Sequence, residues 1–157
     1  MKKMKLFLCA AIFTLLFSTT SNTVQAQASF GGGITLNNYG FGNIIGLNPR
    51  ARFGLGDKLA LGADVNYIAN DGYALIGING NIQYILGDPD AFSFYPMGGL
   101  SLLSTTYSKD LGVNLGFGGN YALNDKLSVF TEFKLKVMLE EGWGTPTVLG
   151  FGVMFSP

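Results

Sequence analysis

Histidine is absent from the sequence, and with it the side chain that most often acts as a general base or a metal ligand near neutral pH. A Ser-Lys pair or two carboxylates would be the remaining routes to catalysis, and no spacing of these residues indicates either site. We therefore expect no catalytic residue, no metal site and no bound cofactor, and we predict that the protein is not an enzyme.

Cysteine is almost absent, and the only one lies in an N-terminal segment with the layout of a secretory signal peptide. The basic start is Lys2, Lys3 and Lys5, the apolar run covers residues 6–17, and the small-residue exit is Val24-Gln25-Ala26. We predict that residues 1–26 are removed by cleavage after Ala26, with cleavage after Ala28 as the alternative. Because Cys9 would leave with this segment, we expect no disulfide and no thiol chemistry in the mature chain.

Charged residues are also scarce, at 13% of the chain, which is about half the share of a typical soluble domain. Without the three N-terminal lysines, seven basic and ten acidic residues remain. This balance leaves no basic patch, so we expect no nucleic-acid partner. After the signal segment, no apolar run reaches the roughly 18 residues that a transmembrane helix needs. An exported chain of membrane-like composition would then cross a bilayer as a closed β-barrel.

The clearest pattern that is present is the alternation in residues 127–139, LSVFTEFKLKVML. Odd positions are apolar apart from Thr131, whereas even positions include Ser128, Glu132, Lys134 and Lys136. A period of two places alternate side chains on opposite faces of a strand. Ordinary strands have about five or six residues, and membrane-crossing strands need about nine to eleven. The length and the aliphatic face predict a strand with lipid on one side and an enclosed space on the other.

Eight segments share this alternation, which predicts eight strands. They cover residues 29–37, 45–55, 59–67, 74–86, 92–102, 111–123, 127–139 and 147–155. Tight turns rich in turn-forming residues join alternate pairs, at residues 56–58, 87–90 and 124–126. An even number near eight is the small end of the range for bacterial barrels. We predict one domain over residues 27–157, an all-β, eight-stranded antiparallel up-and-down transmembrane β-barrel.

Two predicted hairpins have similar sequences. Each has an Asp-Lys turn between leucines, followed by an acid on the polar face: Leu55-Gly56-Asp57-Lys58-Leu59 and Leu123-Asn124-Asp125-Lys126-Leu127. With the closing strand TVLGFGVMF, they make the mature chain resemble the small eight-stranded outer-membrane β-barrel proteins of the OmpA-like and OmpX-like type. The resemblance implies a monomer in the cell outer membrane, in contact with lipid and lipopolysaccharide. It also implies barrel-assembly machinery and periplasmic chaperones as partners during biogenesis.

The same resemblance implies an assembly signal in the closing strand. Barrels of this family usually end on an aromatic residue that the insertion machinery reads. Phe151, Val153 and Phe155 would form that signal here, shifted by two residues because Ser156 and Pro157 follow.

Charged residues on the polar faces are expected inside the barrel, since barrels of about eight strands are filled by their own side chains. They are Arg50, Arg52, Asp64, Glu132, Lys134 and Lys136, here named the lumen cluster. Pairing across residues 56–58 places Arg50 opposite Asp64 and Arg52 opposite Gly62, and we predict an Arg50–Asp64 ion pair. Inward glycines are expected to leave room for the long side chains of the seventh strand; these are Gly116, Gly118, Gly150 and Gly152.

The lumen cluster has two main interpretations. It is either a structural plug, since unpaired buried charges cost several kcal/mol each, or a gate whose ion pairs exchange partners along a narrow aqueous path. Accordingly, we predict an integral outer-membrane barrel with a structural, membrane-integrity or surface-interaction (adhesion) role. The alternative is a narrow, low-conductance porin-like channel for ions or small solutes. A second alternative is a secreted soluble barrel that binds an apolar ligand against an inward apolar face.

Overall fold

The structure, a computed structural model, describes residues 28–40, 42–70, 72–139 and 144–157. The predicted signal peptide, including Cys9 and the cleavage point at Ala26, lies outside these residues. Across the described ranges, no helix is long and apolar enough to cross a membrane.

Eight long strands form the described part of the chain. They are β1 (Ala28–Asn38), β2 (Asn43–Gly54), β3 (Leu59–Asn70), β4 (Tyr73–Tyr84), β5 (Phe92–Ser104), β6 (Lys109–Ala122), β7 (Leu127–Met138) and β8 (Thr147–Phe155). The two-residue strand Leu86–Gly87 pairs with β5 in the register of β4 and therefore continues β4 after a break at Ile85. Each predicted segment matches a strand to within three residues at either end.

The strands form a single closed barrel. Each strand pairs antiparallel with its neighbours in sequence, and β1 pairs with β8 to close the sheet. The predicted all-β, eight-stranded up-and-down barrel is confirmed. The predicted register across the first tight turn is confirmed too, with Arg50 opposite Asp64 and Arg52 opposite Gly62.

The two ends of the barrel differ in their connections. One end, here named the turn end, carries residues 55–58, 85–91 and 123–126 together with the start of β1 and the end of β8. Its turns are well defined: the side-chain Oδ1 of Asn124 accepts the backbone N–H groups of Lys126 and Leu127, each at 2.9 Å. Gly87 has φ +89°, a left-handed conformation that favours glycine. The opposite end is the loop end.

The outer face of the barrel is apolar, as the alternation predicts. Ile45, Ile82, Leu100 and Leu111 are each more than half exposed. Aromatic rings also pack side by side on this face, with the Phe117 ring centroid 5.7 Å from that of its neighbour on β7. The soluble-barrel alternative requires the opposite orientation, with the apolar face inward, and the structure contradicts it.

The loop end of the lumen is filled by an apolar plug, which is not among the features predicted from the sequence. Its buried residues are Tyr39, Ile68 and Leu103, with Ile44, Leu75 and Met138 packed against them. Burial raises the pKa of the Tyr39 hydroxyl well above its ordinary value, so this group stays neutral. The plug separates the polar interior from the loop end, and it lies at inward positions that continue the alternation of the strands.

Candidate functional site

All six residues of the lumen cluster lie on the inward faces of their strands. Asp64, Glu132, Lys134 and Lys136 are buried, whereas the two arginines of the cluster are half-buried. The charges come from the neighbouring strands β2 and β3 and from β7, which pairs with neither of them. The alternation of each strand aims these side chains at the axis, and barrel closure brings them together.

The ion pairs differ from the predicted one. Among the described residues, Arg50 pairs with Glu132 at 2.7 Å, and Lys134 pairs with Glu132 at 3.2 Å and also with Asp64. The predicted Arg50–Asp64 ion pair is wrong, although the two residues are opposite each other in register. Arg50 instead reaches across the lumen to β7, and Lys134 reaches back to β3. The ion pairs therefore cross the lumen and are not confined to one hairpin. The four residues that make them are here named the clasp: Arg50, Asp64, Glu132 and Lys134.

The carboxylates of the clasp are well satisfied by neutral donors as well as by cations. The Tyr95 hydroxyl donates to Glu132 Oε1 at 2.9 Å. The side-chain amides of Asn48 and Asn79 donate to Asp64 Oδ2 at 3.1 and 2.6 Å. Charge-assisted hydrogen bonds of this kind are the strong class, and they offset the cost of removing two carboxylates from water. Two buried acids can therefore remain ionised inside the barrel.

Both arginines of the cluster lie on aromatic rings, a contact that was not predicted from the sequence. The Arg50 guanidinium carbon is 3.6 Å from the centroid of the Phe130 ring, and that of Arg52 is 4.6 Å from the centroid of Tyr95. Such cation–π contacts strengthen where the cation is shielded from water. The signal was present in the sequence, because Phe130 and Tyr95 occupy inward positions of alternating strands.

Two of the inward glycines accommodate these rings. A Cβ on Gly118 would lie 2.6 Å from the ring of Tyr95, and a Cβ on Gly152 would lie 2.7 Å from that of Phe130. At these two positions the space predicted for the long charged side chains is occupied by aromatic rings. At Gly116 and Gly150, the nearest atoms to a Cβ would belong to the neighbouring strand's backbone and to Thr35.

Lys136 is the most buried cation of the cluster, at 1% exposed. Its ammonium group donates to Asn79 Oδ1 at 3.0 Å, and no ion pair to it is present within the described residues. Asn79 Oδ1 also accepts the Ser101 hydroxyl at 2.8 Å. Towards the loop end, the Thr35 hydroxyl donates to Asn66 Oδ1 at 2.6 Å, and the Asn66 amide donates to Asn37. Neutral polar side chains thus occupy the lumen between the clasp and the apolar plug.

Little free space remains around the clasp. Two cavities touch it, each of about 10 Å³, one on the side of Lys136 and one on the side of Arg52. A cavity of this size holds about one water molecule. The lumen is therefore closed to solutes at the level of the clasp in this conformation.

Other predicted features can be placed as well. Phe151, Val153 and Phe155 lie on β8 with their side chains on the outer face, each between 43% and 48% exposed. In the described part of the chain, no three His, Cys, Asp or Glu side chains come together as a metal-binding group.

Comparison with known proteins places this geometry among membrane barrels. No protein-family model matches the chain, and no curated protein matches it. Among solved structures, the N-terminal β-barrel domain of Pseudomonas aeruginosa OprF aligns with a TM-score of 0.65 and 19% identity, covering 83% of this chain and 98% of that one. Neisserial surface protein A aligns with a TM-score of 0.63 and 15% identity, covering 83% and 96%.

A third match is the Yersinia pestis attachment invasion locus protein, Ail, whose structure is a complex with the heparin analogue sucrose octasulfate. It aligns with a TM-score of 0.55 and 8% identity, covering 83% of this chain and 96% of Ail. The chain has the fold of the small eight-stranded outer-membrane β-barrels. The small outer-membrane barrel fold accounts for the orientation of both faces: an apolar exterior and a polar, charged lumen.

Proposed function

We propose that the protein is an integral outer-membrane β-barrel, exported by a cleaved signal peptide, whose lumen is plugged by its own side chains. Its role in this proposal is structural, in membrane integrity or surface interaction, and includes no enzymatic activity. Its partners are outer-membrane lipid and lipopolysaccharide, and the barrel-assembly machinery and periplasmic chaperones during biogenesis. One observation carries the proposal: the clasp and the apolar plug close the lumen inside a barrel whose outer face is predominantly apolar.

Fractionation tests the location. We expect the protein in the outer-membrane fraction, soluble only in detergent, and unheated samples should migrate differently from boiled ones on a gel. Recovery in the periplasm or the medium without detergent would contradict the proposal.

The composition of the loop-end connections favours a structural role over capture of a polyanion. Ail is bound to a heparin analogue in its structure. In the sequence of this chain, the connections from β3 to β4 and from β7 to β8 carry Asp71, Glu140 and Glu141 and no basic residue. This composition does not favour a sulfated polysaccharide, so the proposal for this chain does not include that ligand.

The second candidate function is a narrow, low-conductance channel for ions or small solutes. The water-sized cavities on both sides of the clasp favour it, because a modest rearrangement of ion pairs would join them. Conductance of the folded barrel in a planar bilayer separates the two candidates. A silent bilayer supports the plugged barrel, whereas discrete steps that change in Glu132→Ala or Lys134→Ala would establish the channel.

A further inference from the structure

The turn end of the lumen holds a cavity that the clasp leaves open. Its volume is about 430 Å³, and segments from the turn end of the barrel surround it. That volume falls within the range of small-molecule sites, about 300–1,000 Å³. Arg52, Ser93 and Asn120 line it, and the turns of the barrel form its mouth. Because the clasp closes the lumen beyond it, the cavity can hold a ligand but does not pass one onward.

Arg52 is the half-buried cation of this cavity, and Lys126 is the exposed one. Among the described residues Arg52 makes no ion pair, and its guanidinium donates no hydrogen bond. The guanidinium instead lies against the Tyr95 ring, whose hydroxyl is held by Glu132. The stacking fixes the position of the guanidinium and leaves its five N–H donors available. A planar donor fork of this kind matches a carboxylate or a phosphate in two parallel hydrogen bonds.

Two neutral side chains add donors to the same cavity. Asn120 Oδ1 accepts the Ser128 hydroxyl at 3.1 Å, and its Nδ2 has no hydrogen-bond partner in the part of the chain that the structure describes. The Ser93 hydroxyl, on the neighbouring strand, is opposite Asn120 in register. A fixed cation with hydroxyl and amide donors nearby favours an anionic group over a cationic one.

The mouth of the cavity has the opposite character. Asp57, Asp90 and Asp125 line it, together with one basic residue, Lys126. All four are exposed, so each contributes a screened and modest field. A simple anion would be opposed by the excess of carboxylates at the mouth. A ligand that carries an ammonium group at its outer end would be attracted.

We propose that the turn-end cavity binds a small zwitterion, with its phosphate or carboxylate group on Arg52 and its ammonium group among the aspartates of the mouth. This site goes beyond the proposed structural role and does not depend on it. A closed lumen and a ligand at its turn end are compatible, and each is tested by a different measurement.

Calorimetric titration of the full mature barrel, refolded in a non-ionic detergent, tests the site. The probes are phosphoethanolamine, β-alanine, inorganic phosphate and ethanolamine. We expect phosphoethanolamine or β-alanine to bind several times more tightly than inorganic phosphate or ethanolamine. The better of the two shows whether the acidic group is a phosphate or a carboxylate. Absence of binding by both zwitterions would overturn the proposal.

Variants then locate the binding. Arg52→Gln should weaken binding of the zwitterion by about tenfold or more, because the charge-assisted hydrogen bonds of the guanidinium are lost. Arg52→Lys should restore part of the affinity. A triple variant should lower the affinity for the zwitterion to that for inorganic phosphate. It combines Asp57→Asn, Asp90→Asn and Asp125→Asn.

The matched control is Lys58→Gln, which removes an exposed turn cation outside the cavity lining and should leave the affinity unchanged. Each variant is titrated only after its unheated sample shows the folded migration on a gel. Unchanged affinity in folded Arg52→Gln, or equal losses in Lys58→Gln, would place the ligand elsewhere and overturn the assignment.

Discussion

At the scale of single residues, the lumen depends on two buried acids that serve several donors each. Glu132 accepts from Arg50, Lys134 and Tyr95, and Asp64 accepts from Lys134 and two asparagines. Losing Glu132 leaves the buried Arg50 without an ion-pair partner and leaves Lys134 with Asp64 alone. Such a loss costs more than the net value of the pair. The clasp therefore has an asymmetric response to mutation: removing a shared acid is worse than removing one of its partners.

Glu132→Ala provides the direct test at this scale. We expect a loss of about 3–5 kcal/mol in the free energy of unfolding, because Arg50 and Lys134 lose their shared partner inside the barrel. A urea series on the refolded barrel, read by the gel shift of unheated samples, measures it. Asp57→Ala is the matched control, since Asp57 is an exposed acid of a turn, and it should unfold at the wild-type urea concentration. Similar midpoints for the two variants would contradict the clasp.

A double-mutant comparison distinguishes the observed ion pairs from the one that the register predicts. Asp64→Ala and Lys134→Ala should couple by about 1–3 kcal/mol, as residues in direct contact do. Asp64→Ala and Arg50→Ala should couple less, because the Asn48 side chain lies between the two charges and hydrogen bonds to both. Stronger coupling in the Arg50 cycle than in the Lys134 cycle would support the Arg50–Asp64 ion pair that the register predicts.

The sequence predicts which residues face each other across a hairpin, and it does not predict which side chains meet across the lumen. Arg50 and Asp64 are opposite because the turn at residues 56–58 fixes the register. Contact between Arg50 and Glu132 depends on how the whole sheet closes, and on long side chains that can reach more than one partner. For the same reason, the alternation predicts that Tyr95 and Phe130 face inward, but it does not predict their contacts with the arginines.

At the scale of elements, the strands and turns followed directly from the alternation and the turn-forming residues. Period-two patterns over nine to fourteen residues leave little ambiguity. The apolar plug was not predicted because its residues come from the loop ends of several strands, where alternation was read only for the outer face. Small residues also lie beside large aromatic rings in the lumen, because neighbouring strands share a narrow space.

Gly118→Ala tests this pairing of small and large residues. The new methyl group would lie 2.6 Å from the Tyr95 ring, and displacing the ring also disturbs its bonds with Glu132 and Arg52. We expect a cost of about 1–3 kcal/mol, the usual range for overpacking. Gly80→Ala is the control: its Cβ meets nothing within 4 Å, so the same urea series should show almost no change. Combining Gly118→Ala with Tyr95→Leu should cost less than the sum of the two single variants.

At the scale of the whole molecule, the barrel places its polar residues inside and its apolar residues outside, the reverse of a soluble domain. Buried polar residues such as Asn48, Asn66, Asn81 and Asn114 line the lumen, while aliphatic and aromatic side chains cover the exterior. This inversion was predictable from sequence, because a period of two assigns every residue to a face. The function of the interior was not predictable from sequence, because a barrel of alternating strands can enclose a plug, a gate or a ligand cavity.

Outward arginine substitutions test whether lipid covers the exterior. Leu135 is 39% exposed on the outer face, and its neighbour in β7 is the clasp residue Lys134, so it lies at mid-height of the barrel. Leu135→Arg should cost about 2–4 kcal/mol in a bilayer, whereas an arginine near the end of a strand costs about 0–1 kcal/mol. Tyr84→Arg, at the turn end of β4 and 43% exposed, is the matched variant. Reversible urea unfolding from liposomes measures both costs. A barrel surrounded by water would tolerate the two substitutions equally. Equal costs would therefore contradict a lipid-covered exterior.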